Sequence, residues 1–170
     1  LYLDEEQHLS EREMLDIAQQ HKGFVSEVIY CEHGKSGIHL TYYSSECEVD
    51  FCGHGTIACM YNLIKSTPAL LAQKEIVIHT NKKGALTVYN RMPDQDAVLI
   101  TAPDPIYLDT HLSGAVIAEK LGLSQDAINP ALPIDLIDAG LRTLIVPLYD
   151  LATEISIFPN EPELKCFCLE

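Results

Sequence analysis

The residues that could do chemistry are concentrated in one short segment, DFCGHGTIACMYNLI. Cys52 and His54 carry side chains that transfer protons, and Gly53 and Gly55 let a ligand approach the backbone closely. Thr56 follows, and the segment then continues as an apolar stretch with helical spacing. A helix N-terminus offers unpaired N–H groups and the positive end of the helix dipole. This segment therefore predicts a binding site for a carboxylate or phosphate. A plain helix start with glycines for turn geometry is the simpler interpretation of the same letters.

A second candidate for proton chemistry is Glu27, which lies in the segment FVSEVIYCE. The density of Val, Ile and Tyr predicts a strand over 24–32. A carboxylate among such residues is partly withdrawn from water, which raises its pKa toward the range of a general acid or base. The alternation of a strand also allows Glu27 to face solvent, so the pattern alone leaves both orientations open.

The elements that must position these residues alternate along the chain. Two hairpins flank the Cys-Gly-His-Gly-Thr segment, and the helix that follows it is apolar on most of its faces, which predicts a buried helix. The predicted class is therefore α+β, with mostly antiparallel hairpins packed around one apolar helix. The predicted helices cover 9–20, 53–65, 113–123, 150–158 and 161–168, and the predicted strands cover 24–32, 38–43, 75–80, 85–90, 97–103 and 141–148, the last of them buried.

Charge and composition exclude several function classes. The 170 residues carry a formal charge of −14, which argues against binding to nucleic acid or to an anionic membrane surface. No apolar run is long enough to span a bilayer, and the first residues do not form a signal peptide, so a cytoplasmic location is expected. The six cysteines lack the paired spacing of a zinc site, and the chain has no nucleotide-binding glycine motif. We therefore expect no metal and no cofactor.

The longer string SSECEVDFCGHGTIACMYNLI resembles the PhzF-like (phenazine-biosynthesis-like) family. The order of the other segments supports the resemblance, since LSEREMLDIAQQ, FVSEV, GIHLTYY and HTNKKGALTV occur in the order that this family uses. The Cys-Gly-His-Gly-Thr core is also similar to that of proline racemase-like proteins. The resemblance implies the diaminopimelate-epimerase-like fold, which has two similar domains with the active site between them. Each domain is a mixed, mostly antiparallel sheet curled around a central apolar helix.

The resemblance also implies an activity and the residues that carry it. The family's acid/base glutamate lies in a Ser-Glu pair on the strand after the first helix, which corresponds to Glu27, and its active-site histidine corresponds to His54. Gly53, Gly55 and Thr56 correspond to backbone positions that bind the substrate. The implied reaction is a cofactor-independent isomerisation, by proton transfer, of a small substrate that bears a carboxylate. A homodimer is the implied assembly.

The chain departs from the family pattern in its second half. The family's second domain carries a motif similar to Asp-Pro-Ala-Thr-Gly-Ser, and no such string is present. We therefore expect an incomplete two-domain protein. Residues 1–135 are predicted to form the first domain, with its N-terminal strand apparently missing, and residues 136–170 the crossover into a second domain whose remainder is missing.

Two other functions compete with the isomerase. In a cofactor-independent amino-acid racemase or epimerase, Cys52 would be one of two thiol bases, and a helix N-terminus would lower its pKa. In a non-catalytic protein, the same site at the helix N-terminus would bind a small molecule without transferring a proton.

Overall fold

The computed structural model describes residues 2–4, 9–34 and 37–169. The sequence also predicts a turn over HGKSG between the strands at 24–32 and 38–43, and this turn lies partly outside the described residues. The chain divides into two compact units, Leu1–Asp104 and Pro105–Glu170. The boundary predicted at 135/136 concerns the domains of a longer fold and stays a prediction. Within the described residues, no helix is both long enough and apolar enough to cross a membrane.

The first unit is a seven-stranded mixed sheet with helices on it. Its elements are β1 (Tyr2–Asp4), α1 (Glu11–Gln20), β2 (Glu27–Gly34), β3 (Gly37–Ser44), β4 (Glu48–Val49), α2 (Gly53–Ser66), α3 (Pro68–Leu71), β5 (Glu75–Thr80), β6 (Gly84–Asn90), α4 (Met92–Gln95) and β7 (Val98–Ile100). Along the sheet the strands follow the order β1, β2, β3, β5, β6, β7, and β4 pairs with β3 beside this path. The β1–β2 and β3–β5 pairs are parallel, and the remaining pairs are antiparallel.

The core of this unit is one face of α2 against the sheet. Cys59, Met60, Leu63 and Ile64 are buried on that face, and they belong to one apolar cluster with side chains of β2, β3, β5, β6 and β7. The prediction of a mixed, mostly antiparallel sheet around one apolar helix is confirmed. The prediction that α2 is buried nearly all round was wrong, because the sheet covers one side only and Ile57 on the other side is 39% exposed.

The second unit is a three-stranded antiparallel sheet with a small apolar cluster of its own. Its elements are β8 (Ile106–Leu108), α5 (Gly114–Leu121), a short 3-10 turn (Gln125–Ala127), β9 (Asp135–Asp138), β10 (Arg142–Ile145), α6 (Leu151–Ile155) and α7 (Glu161–Leu169). Ile117, Ala118 and Ile128 form the buried part of the cluster. The prediction of a buried strand over 141–148 was wrong, because β10 is exposed at all positions except the half-buried Leu144.

Four short strands, β1, β4, β8 and β9, were not predicted. Each has two to four residues, too few for the alternation of a strand to stand out from a loop. β1 is parallel to β2, so the described residues place a strand ahead of α1 where none was expected.

Candidate active site

The N-terminus of α2 lies beside the start of β2, and this places three reactive side chains together. Cys52 occupies the N-cap position of α2, His54 is in its first turn, and Glu27 is the first residue of β2. The Nε2 atom of His54 lies 3.2 Å from Oε2 of Glu27, and Sγ of Cys52 lies 3.7 Å from the same oxygen. Sγ is also 3.7 Å from Nδ1 and 3.8 Å from Nε2 of His54. Cys52 and His54 follow Glu27 by 25 and 27 positions in the sequence, and the fold brings all three into one cluster.

The three side chains differ sharply in their exposure. Cys52 is 4% exposed, the carboxylate side chain of Glu27 is 17% exposed, and the imidazole side chain of His54 is 74% exposed. The cluster therefore extends from the core to the surface. The exposure of Glu27 is intermediate between that of the buried thiol and that of the exposed imidazole. A group with this placement can receive a proton from a ligand at the surface and pass it to a neighbour by a hydrogen bond.

Gly55 is what allows α2 to approach β2 so closely. A Cβ atom at this position would lie 2.6 Å from Cδ1 of Ile29 and 2.8 Å from Sγ of Cys52, which are separations that atoms do not tolerate. The Gly55 amide lies near the sulfur of Cys52 and lowers the pKa of its thiol. Gly55 thus sets both the packing of the helix on the strand and the position of the thiol.

Replacing Gly55 with Ala is expected to lower the free energy of unfolding by about 1–3 kcal/mol, because the added methyl group overpacks the contact with Ile29. Urea unfolding followed by circular dichroism measures the change. Gly53→Ala is the matched control, since a Cβ there would meet Phe51 at an ordinary 3.5 Å. Equal midpoints for the two variants would show that the Gly55 contact is not close-packed.

Thr56 anchors the backbone of the site. Its hydroxyl donates to the carbonyl of Cys52 over 2.7 Å and shares a 2.8 Å hydrogen bond with the hydroxyl of Tyr42, while its amide donates to the same Cys52 carbonyl over 2.9 Å. Thr56 is 0% exposed, and its amide is already paired. Thr56 thus positions Cys52, and its predicted role in binding substrate stays a prediction. The amides of Gly53 and His54 lie in the first turn and have no acceptor within the helix.

Tyr42 is a site residue that the sequence analysis missed. It lies on β3, is 1% exposed and packs edge to face with Phe51, while its hydroxyl meets Thr56. Burial raises the pKa of Tyr42 to about 12, so the phenol stays protonated and can donate this hydrogen bond. The alternation of Ile38, Leu40 and Tyr42 along GIHLTYY was the signal that would have placed this side chain on the inner face.

The thiol of Cys52 is not activated by the helix N-terminus. Burial raises the pKa of Cys52 to about 11, the neighbouring charge of Glu27 adds to this, and the nearby backbone amide of Gly55 only partly offsets it. The expectation of a lowered pKa was wrong, because withdrawal of the sulfur from water outweighs the helix dipole. At neutral pH the group is a thiol that donates to Glu27, not a thiolate base.

Alkylation of Cys52 by iodoacetamide at about pH 8 is expected to be at least ~10-fold slower than that of the exposed Cys47, and to speed up toward pH 11. A raised pKa leaves about one thiolate per thousand molecules at this pH, and the higher nucleophilicity of that thiolate compensates only in part. Peptide mass spectrometry after timed pulses gives both rates in one sample. Equal rates for the two cysteines would contradict the protonated, buried thiol.

A cavity of about 290 Å³ opens beside Glu27 and His54. Its other walls include Ile29 on the strand and Ala58 on the exposed side of α2. A larger groove of about 560 Å³ lies in the second unit, but it is lined mainly by aliphatic side chains and has Asp150 and Glu154 as its titratable groups. The cavity beside Glu27 and His54 thus joins a general acid/base pair to a binding space.

The fold and this site together define a class. It is an α+β protein with a mixed sheet on an apolar helix, in which a carboxylate and an imidazole meet at the helix N-terminus. The chain belongs to the family described as "Phenazine biosynthesis-like protein", whose model matches residues 2–170. The resemblance seen in the sequence is thereby confirmed.

Individual relatives agree with this assignment. "Uncharacterized isomerase YfhB" of Bacillus subtilis (strain 168) is 27% identical over 158 residues, which are 91% of this chain and 52% of that protein. The crystal structure of the Bacillus anthracis phenazine biosynthesis protein of the PhzF family is 27% identical, with a TM-score of 0.69 over 89% of this chain and 50% of that one. The structure of a "Predicted Epimerase" from Pseudomonas aeruginosa is 16% identical and has the same fold, with a TM-score of 0.72. The match covers 97% of this chain and 59% of the Pseudomonas chain. The chain spans about half the length of these relatives.

Proposed function

We propose that this chain contributes the acid/base half of an isomerase site. The observation that carries the proposal is the convergence of Glu27, Cys52 and His54 at the N-terminus of α2, beside the cavity of about 290 Å³. Membership of the family and the relative named as an isomerase support the same reaction class.

The proposed reaction moves one proton within the substrate. The Glu27 carboxylate removes a proton from a carbon next to an activating group of the substrate. The electron pair left on that carbon delocalises over the activating group and the adjacent carbon–carbon double bond. The resulting carboxylic acid returns the proton to a different carbon, so that the double bond moves and no redox change occurs. His54, whose Nε2 lies 3.2 Å from Oε2 of Glu27, orients the carboxylate and can relay the proton. No cofactor takes part in this scheme.

The substrate is proposed to be a small carboxylate. The first-turn amides of Gly53 and His54 and the positive end of the α2 dipole would hold its negative charge, and they would stabilise the charge that develops during proton transfer. The side chain of His54 is 74% exposed, so the site is open on the side away from the sheet. We propose that further protein closes this side, as part of a longer chain or of a homodimer, in the cytoplasm.

Solvent deuterium incorporation tests the proposal and separates it from the alternatives. The protein is incubated in D₂O with two sets of probes, β,γ-unsaturated carboxylic acids and L-amino acids, and the products are read by NMR. We expect deuterium in the unsaturated acids together with a shift of the double bond, and we expect Cys52→Ser to retain this activity within about tenfold.

Two results would overturn the isomerase. Deuterium confined to the α-carbon of amino acids, and lost in Cys52→Ser, would establish the racemase. The protonated state of the Cys52 thiol argues against that outcome. Binding of the unsaturated acids without any deuterium exchange would establish the non-catalytic binding protein.

A further inference from the structure

The cluster at the helix N-terminus contains one sulfur, one nitrogen and one oxygen donor, a set that soft and borderline divalent cations bind. The donor atoms of Glu27, Cys52 and His54 all lie within 4.8 Å of one another. Thiolate and imidazole ligands favour Zn²⁺ over Mg²⁺ or Ca²⁺, which prefer oxygen. The linear spacing of the cysteines did not indicate a metal site, because these donors come from two elements that are distant in sequence.

The separations of the three atoms agree with those of a tetrahedral zinc site. Bond lengths of about 2.3 Å to sulfur and about 2.0–2.1 Å to nitrogen and oxygen require about 3.3 Å between nitrogen and oxygen and about 3.5 Å between sulfur and either of them. The observed distances are 3.2 Å from Nε2 of His54 to Oε2 of Glu27, 3.7 Å from that oxygen to Sγ of Cys52, and 3.8 Å from Sγ to Nε2. Sγ is also 3.7 Å from Nδ1 of His54, so the exposed imidazole must turn to direct Nε2 at the metal.

We propose that Glu27, Cys52 and His54 form a binding site for Zn²⁺, with three protein ligands and a fourth position open toward the cavity. On binding, the Zn–S bond forms as the thiol proton of Cys52 leaves to solvent, and His54 binds through Nε2 in its neutral form with its proton on Nδ1. The thiolate and the carboxylate then carry two negative charges, which the cation neutralises. This neutralisation removes the penalty for a buried thiolate.

Two of the three ligands are held by rigid structure. The backbone of Cys52 is fixed by the hydrogen bonds of Thr56 to its carbonyl. Glu27 is fixed at the start of β2, which is paired with β3. A site whose ligands and supporting hydrogen bonds are preformed needs little reorganisation to accept a metal.

Binding of Zn²⁺ would inhibit the reaction proposed above. The cation would occupy the lone pairs that Glu27 and His54 need for proton transfer, so one equivalent of Zn²⁺ should abolish deuterium exchange and a chelator should restore it. This consequence rests on the proposed function, whereas the binding of Zn²⁺ does not. If the protein binds Zn²⁺ but exchanges no deuterium, the proposed metal site is supported and the proposed isomerase function is excluded.

Isothermal titration calorimetry with ZnCl₂ tests the site directly. The reference protein carries Cys47→Ser, Cys166→Ser and Cys168→Ser, which removes the exposed thiols. We expect one equivalent of Zn²⁺ with micromolar or tighter affinity, release of about one proton, and no binding of Mg²⁺. Titration with Co²⁺ should give the intense visible bands of a tetrahedral site and a thiolate-to-metal charge-transfer band.

Adding Cys52→Ser to the reference protein is expected to weaken Zn²⁺ binding by at least ~100-fold and to remove the charge-transfer band. Cys59→Ala is the matched control, because Cys59 is buried on the same helix and lies outside the cluster, so its loss should leave the affinity unchanged. If Cys52→Ser does not fold by circular dichroism, Glu27→Gln provides the same test with an expected loss of at least ~10-fold. Unchanged affinity in the folded variant, or no binding by the reference protein, would overturn the proposal.

Discussion

Replacing Glu27 with Gln is expected to lower the rate of solvent deuterium exchange by about 100- to 10,000-fold. Gln keeps the size of the side chain and can still accept a hydrogen bond from Nε2 of His54, which is 3.2 Å from the carboxylate. It cannot take up a proton, so the step that begins the reaction is lost while the binding space remains. We therefore expect the loss in kcat with little change in KM, measured from initial rates by NMR.

The matched control for Glu27→Gln is Glu75→Gln. Glu75 is also the first residue of a strand in the same sheet, and it is exposed. This variant removes one negative charge from the same sheet without touching the cluster, so we expect a rate within about twofold of the native protein. A Glu27→Gln variant that retains more than a tenth of the native rate would exclude Glu27 as the base.

Replacing Asn90 with Asp is expected to lower the free energy of unfolding by about 3–5 kcal/mol. The side chain of Asn90 is at the end of β6, and the residue is 5% exposed. Its Nδ2 group donates to the carbonyls of Leu70, Leu71 and Gln73 over 3.3, 2.9 and 2.8 Å. A carboxylate would place negative oxygen against these three carbonyls, with only the amide of Met92 as a partner.

The loss of stability in Asn90→Asp should depend on pH. Burial against carbonyls raises the pKa of the introduced carboxyl group above its value in the unfolded chain. The unfolded state therefore releases the proton first, and stability relative to the native protein falls as pH rises through the unfolded pKa of about 3.9. Urea unfolding at about pH 7 and about pH 4 should show a smaller difference between variant and native protein at the lower pH.

Asn62→Asp is the control for the added charge. Asn62 is exposed on α2, so we expect its substitution to change the free energy of unfolding by no more than about 0.5 kcal/mol. If Asn90→Asp unfolds at the same urea concentration as Asn62→Asp, the hydrogen bonds that Asn90 makes to the α3 region do not hold this part of the fold.

Much of the first unit could be predicted from the sequence because its signals are local. Alternating apolar residues and turn glycines indicate the β2–β3 and β5–β6 hairpins, and the apolar spacing after Gly53 indicates α2. The residue types made Glu27, Cys52 and His54 candidates, and the resemblance to the family favoured a role for Glu27 and His54 over the simpler interpretations. Each of these inferences depends on about ten consecutive residues, so no contact between distant parts of the chain is needed to make it.

The second unit was predicted less well, for a physical reason. β8 and β9 have three and four residues, and each is a strand only because a partner strand from elsewhere in the chain pairs with it. The exposure of β10 and of the outer face of α2 likewise depends on what covers them. Local patterns report the tendency to be buried, whereas actual burial depends on the neighbours in space.

The sequence by itself determined that proton-transferring side chains stand at the start of an apolar helix and on a nearby strand, since residue type and local spacing suffice for that. Tertiary structure alone decided what these side chains can do. It brought Sγ of Cys52 and Nε2 of His54 to 3.7 and 3.2 Å from one oxygen of Glu27, and it buried the thiol so that its pKa rises to about 11. Distance and desolvation are properties of packing, and they exist only once α2 lies against β2 with Gly55 at the contact.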